Sequence, residues 1–355
     1  MTKTADCLIC WSRPVRALGW FVPMEFNIPY TPALFPLKLV QFIAGCGATT
    51  MTWRVTQYQR LWWGISLGVI LVGWVAMGIL WVQTGFPLRP SIDFVGGTRL
   101  QLERDCTQGC PEPLTLPPLR AALEELGLAN SSLQIVGEQG VSLRTRFLPP
   151  AERERVQAKL AQVMGKLNLN QTQIDSIGPT FGRQILVSGL LALVVAFLGI
   201  GVYLSFRFQV DYSVLAFVAL AHDVLVTVGV FALLGWLAGV EVDTLFVVAL
   251  LTIVGFSVND TVVIYDRVRE LLKLHGDWPI QEVVDTAVAQ TLTRSVNTTL
   301  TTVLSLVAIV LFGGETLRWF AVALIVGFVS GAYSSIFIAS TSLAWWRSRR
   351  ATNPA

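Results

Sequence analysis

Hydrophobic positions run almost unbroken for about twenty residues at a time in six stretches of this chain, which is the length an α-helix needs to cross a bilayer. They fall at 61–82, 184–206, 212–238, 244–265, 294–312 and 319–346. Between the first and second stretch the pattern changes to alternating and amphipathic, which predicts a water-exposed domain. Residues 92–103 read as a strand with Gly96-Gly97 as a bulge or turn, and 117–126 read as a helix opened by proline. Residues 133–138 and 141–147 alternate across a Gln139-Gly140 turn, as a hairpin does; 152–167 form an amphipathic helix and 173–177 a last strand. The order β-α-β-β-α-β is that of a ferredoxin-like split βαβ unit. The expected fold is therefore an α-helical membrane protein of six transmembrane helices with one α+β ferredoxin-like domain after the first.

The first fifty residues do not share this pattern. Pro23, Pro29, Pro32 and Pro36 interrupt them, and their longest clean run, 39–48, is about half of a span. A short basic leader into a spanning helix starts afresh at Met51. This predicts that Met51 is the natural start and that 1–50 is a spurious or dispensable extension. The expected divisions are 51–83 for leader and first span, 84–183 for the exported domain, 184–346 for the remaining five spans, and 347–355 for a basic tail.

Composition agrees with the pattern: 53% of residues are hydrophobic, 14% are charged, and mean hydropathy is +0.60. A net charge of +3 is too small to argue for nucleic acid. The placement of cations is more informative. Arg54, Arg60, Arg207, Arg267, Arg269, Lys273, Arg347, Arg349 and Arg350 lie on the side of the termini, whereas the two short loops opposite hold Arg318 with Glu241, Asp243 and Glu315. Both termini are thus expected in the cytoplasm and 84–183 in the periplasm. Cys7 and Cys10 lack a second pair or a histidine cluster, so no metal or cofactor is expected. Cys106 and Cys110 flank a short loop of the exported domain, where a local disulfide and two free thiols both remain open. No Walker A lysine, GxSxG or HExxH occurs, so the chain is not expected to be an enzyme.

The chemistry lies inside the apolar stretches. Asn259 and Asp260 sit within the fourth, where an aspartate costs about 2.5–3.5 kcal/mol and marks a functional site by default. The next stretch opens with Arg294, Asn297, Thr298, Thr301 and Thr302, a spacing that lines one helical face with polar groups. Asp260 against that face would form a titratable pair in the membrane. Arg294 could equally snorkel to the cytoplasmic surface from what the pattern makes a helix end. His222-Asp223 sits mid-helix in the third stretch; Asp223 reads as a second proton-carrying group or as polar glue between helices. Gly327 and Gly331 form a GxxxG pair that predicts close helix packing.

Five motifs carry a resemblance. DFVGGTRL at 93–100, GPTFGRQ at 178–184, ALAHDV at 219–224, FSVNDTVVIYDRVRE at 256–270 and TRSVNTTLTT at 293–302 together are similar to the SecD/SecF family of bacterial protein-export membrane subunits, in order and over about 51–346. The resemblance implies a half-sized relative of RND transporters whose partners are SecD, the SecYEG channel and YajC, acting on a translocating preprotein within the plasma membrane. It implies use of proton motive force after SecA and ATP have begun export, with Asp260 and Arg294 on the positions linked to proton passage. The competing reading is a self-standing RND-like exporter of lipids or small molecules, which normally carries two copies of this unit in one chain. A purely structural assembly subunit without ion coupling is the third.

Overall fold

The structure, a computed structural model, describes residues 54–106, 114–129, 131–137, 139–168 and 172–352. The expectations about residues 1–50 and Met51 fall outside them. A 3-10 turn, Val55–Tyr58, leads into α1, Gln59–Thr84, the first of six helical stretches long and apolar enough to span a membrane among the described residues. Gly85, Pro87 and Pro90 prevent its continuation.

The α+β domain between the first two spans has the expected order with one correction. Residues 92–95 are not strand but a single helical turn, α2, Ile92–Val95, because the Ser91 hydroxyl caps it by accepting from the Asp93 amide at 3.1 Å. Strand β1, Gly97–Glu103, begins only after Gly96, whose φ of 76° turns the chain. There follow α3, Leu116–Glu125, β2, Ser132–Val136, β3, Gly140–Thr145, α4, Pro150–Met164, and β4, Gln173–Ile177. The sheet order is β2-β3-β1-β4 with every pairing antiparallel, which is the ferredoxin-like arrangement. Leu100, Leu102, Leu133, Val141 and Leu143 point to one face and meet Leu119, Leu123, Val156 and Leu160 of the helices. Arg99 and Arg144, at alternate positions, belong to the opposite face. Cys106 is in a disulfide, and Cys110 lies outside the described residues.

The other spans are α5, Pro179–Arg207, α6, Val210–Ala238, α7, Thr244–Leu274, and α8, Ile280–Phe312. The last consists of α9, Glu315–Tyr333, a π-helical turn, Ser334–Ala339, and α10, Ser340–Thr352. Helix α8 corrects the expected boundary: it starts well before 294, so Arg294 lies inside a continuous helix and not near its end. Helices α6, α7 and the last span form the buried centre. On α5, Val187, Leu190, Leu191, Val194, Val195 and Leu198 are exposed, as suits a helix facing lipid.

The domain is tied to the bundle at its root. A Cβ on Gly96 would stand 2.6 Å from Pro179 Cα, so the glycine lets the chain leaving α2 run against the chain entering α5. Ser91 N donates to Val242 O and Val242 N to Arg89 O, both at 2.8 Å, which docks the entry segment on the α6–α7 loop. Asp93 accepts from both the amide and the hydroxyl of Thr244, at 3.0 and 2.9 Å. Asp243 caps α7 through the Phe246 amide at 3.0 Å. Burial pushes its carboxyl up, against the pull of that amide.

Candidate functional site in the membrane bundle

Asp260 and Asp223 are both buried, at 4% and 1% exposure, and their surroundings differ. Asp260 points from α7 toward α8, where its carboxyl meets the Ser295 hydroxyl and lies in the field of the Arg294 guanidinium. Its Oδ2 is buried with no hydrogen-bond partner among the described residues. Such an oxygen forgoes the compensation that buried polar atoms almost always have.

Arg294 is exposed and makes no contact ion pair with Asp260. The polar line expected to confront the aspartate points elsewhere. Asn297 and Thr301 are exposed and Thr298 half-buried; Thr298 donates to Arg294 O at 3.0 Å and Thr301 to Asn297 O at 2.9 Å, within their own helix. Asn259 on α7 is exposed too. What α8 turns inward is Ser295 and Thr299, one position round the helix, because successive residues differ by about 100°. The structure thus brings Asp260 to Ser295, with Arg294 beside them, and leaves Asn259, Arg294, Asn297 and Thr301 as a polar strip on the outside of the bundle.

Asp223, on α6, is saturated. Its Oδ2 accepts from Ser257 of α7 at 2.5 Å and Ser334 of the π turn at 2.8 Å. Its Oδ1 accepts from Ser330 of α9 at 2.9 Å and stands 3.0 Å from His222 Nδ1. His222 lies over Tyr333, ring centroids 6.1 Å apart, and its Nε2 is buried without a partner among the described residues. Thr261 and Ser335 share a hydrogen bond of 2.8 Å next to this cluster. The close approach that permits it is at the expected glycines: a Cβ on Gly331 would stand 3.1 Å from Ser257 Cβ, and one on Gly327 would overlap Ile253. Sequence reading missed Ser257, Ser295, Ser330 and Ser334. Their signal was serine within apolar helices, which does not say whether a hydroxyl reaches across or back to its own turn.

An integral membrane bundle with ionisable groups at its centre, carrying an α+β domain between its first two spans, is the architecture of a multi-pass transport subunit. A family model described as "Protein export membrane protein SecD/SecF, C-terminal" matches residues 156–349, and one described as "SecD/SecF GG Motif" matches 81–108, the segment containing Gly96 and Gly97. The chain belongs to the SecD/SecF family of protein-export membrane proteins. It is 53% identical over 296 residues to "Protein translocase subunit SecF" of Synechocystis sp., covering 83% of this chain and 94% of that one. With the protein of the same name from Prochlorococcus marinus it shares 39% over 304 residues, covering 82% and 94%. The crystal structure of SecDF, a translocon-associated membrane protein from Thermus thermophilus, superposes with a TM-score of 0.70 at 31% identity. That match covers 83% of this chain but 38% of the longer SecDF chain. SecDF in its Super-membrane-facing form gives 0.55, also at 31% identity, over 84% of this chain and 39% of that one.

Proposed function

We propose that this chain is the SecF half of a SecD–SecF unit beside the SecYEG channel, with YajC as a further associate, and that it couples proton flow to export of preproteins after SecA and ATP have begun the push. Asp260 is the group that takes up and gives off the proton, with Arg294 as its counter-charge. The observation that carries this is the buried, unpartnered Oδ2 of Asp260 beside Ser295. Protonation changes what that oxygen can bond to and so biases the packing of α7 against α8. The exported domain, rooted at Gly96 and Pro179, would follow.

The outward strip of Asn259, Arg294, Asn297 and Thr301 supports the same reading. Polar groups at bilayer depth are costly against lipid, and a second polypeptide with polar groups of its own satisfies them. SecD is the partner of that kind, and covering by SecD would also bring Arg294 into the membrane interior. The distribution of cations supports cytoplasmic termini, a periplasmic 84–183 and residence in the bacterial plasma membrane. The family's transport role needs no catalysis or cofactor from this chain.

The test is export of a preprotein into vesicles carrying this chain and SecD, with and without a proton gradient, SecA and ATP being in excess. Asp260→Asn keeps size and loses the titratable proton. It is expected to remove the gradient-dependent increment while insertion and association with SecD persist. Full retention of the increment would end the coupling role and leave a structural subunit.

A further inference from the structure

Asp223 and the π turn are not used by that mechanism. A π turn holds one residue more than the α-turn it replaces and occurs mostly as a single turn at functional sites. Here it occupies Ser334–Ala339, in the middle of the last span, where its first two residues both reach buried partners on other helices. Ser334 donates to Asp223 on α6, and Ser335 shares a hydrogen bond with Thr261 on α7. One turn earlier, Ser330 donates to the other oxygen of Asp223. On α7 the tied residues, Ser257 and Thr261, bracket Asp260. One face of this short stretch is therefore fastened to α6 and the π turn, while Asp260 projects from it toward α8.

A buried carboxyl held by three hydroxyl donors, with His222 Nδ1 beside it, is an anchor, since releasing it would leave several buried polar groups unpaired. We propose that Asp223 is a positioning residue that locks the π turn against α7 and so sets where Asp260 stands relative to Ser295 and Arg294. The proposal rests on the reading of Asp260 as the proton-responsive group. Relaxation of the π turn to α geometry would rotate the residues on one side of it by about 100° relative to the other. Ser330, Ser334 and Ser335 could not then all keep their partners, so release of Asp223 and displacement of Asp260 are one event.

Charged or titratable side chains on the elements packed around this region include Tyr212, His222 and Asp223 of α6, Arg294 of α8 and Tyr333 of α9, with Tyr265 on α7 itself. The experiment follows Asp260 with a hydrophobic carbodiimide, which modifies protonated carboxyls. Labelling is mapped by mass spectrometry as a function of pH in membranes holding the full chain and SecD. Asp223→Asn and Ser330→Ala are each expected to move the pH of half-maximal labelling at Asp260 by about one unit, a tenfold change in the protonation ratio. Ser330→Thr, which keeps the hydroxyl, is expected to restore it. Unchanged midpoints in Asp223→Asn and Ser330→Ala would reduce Asp223 to packing and overturn the proposal. So would labelling of Asp223 itself in the parent, which would make it a proton carrier. Should Asp223→Asn fail to insert, the Ser330 pair decides alone. Failure of the underlying reading looks different: Asp260→Asn would keep gradient-driven export whatever Asp223 does, and this too ends the proposal.

Discussion

Asp260 and Arg294 are neighbours on packed helices without touching, which makes their relation one of field and not of contact. Arg294→Lys keeps the charge but loses the planar fork, so partial loss of gradient-driven export is expected. Arg294→Ala removes the counter-charge and is expected to resemble Asp260→Asn. The double variant should be no worse than either single one, because residues acting as one unit are non-additive. Vesicle export with and without a gradient measures all three, and additive losses would separate the two residues. Asp260 was legible as a candidate because a carboxylate in an apolar run is conspicuous. Which side of α8 would meet it was not, since Arg294 and Ser295 are adjacent in sequence and point about 100° apart.

At the scale of elements, two glycine contacts that look alike in the sequence behave differently. A Cβ on Gly73 of α1 would stand 2.6 Å from Gly229 Cα of α6, backbone against backbone. A Cβ on Gly327 of α9 would overlap the Ile253 side chain, at Cδ1, Cγ1 and Cγ2 alike. Gly327→Ala alone is expected to destabilise the bundle by about 1–3 kcal/mol. Adding Ile253→Ala should recover much of that loss. Gly73→Ala has no side chain to trim and should resist rescue by substitution of neighbouring side chains. Thermal unfolding in detergent compares them, and equal rescue at both sites would contradict the assigned contacts. Gly96→Ala adds strain of a third kind. It combines a positive φ with the approach of Pro179, so misplacement of the α+β domain's root, read as new protease cleavage near 96 or 178, is its expected outcome.

At the scale of the whole described unit, the four-stranded sheet and the bundle meet through an ion pair between Arg144 of β3 and Glu241 of the α6–α7 loop, both about one-fifth exposed. A cleft of about 510 Å³ lies around it, lined also by Arg99, Asp93, Asp243 and Trp319. Arg144→Glu is expected to free the sheet from the loop and raise amide exchange in residues 238–243. The swapped pair Arg144→Glu with Glu241→Arg should restore protection; exchange that ignores both changes would show that the backbone contacts at Val242 suffice. Orientation is tested at the same scale. A cysteine placed at Gln134 should react with a membrane-impermeant thiol reagent from the periplasmic side, and labelling from the cytoplasm alone would reverse the assignment. The sequence by itself determined the six spans, the β-α-β-β-α-β order and the presence of an ionisable centre, because span length, alternation and a charge in an apolar run are local properties of the chain. Tertiary structure alone decided which hydroxyls serve that centre. Thr298 and Thr301 bond back to their own helix, whereas Ser257, Ser330 and Ser334 reach across to Asp223. A serine or threonine in a helix can do either, and only the presence of an acceptor such as Asp223 on a neighbouring helix within reach settles the choice.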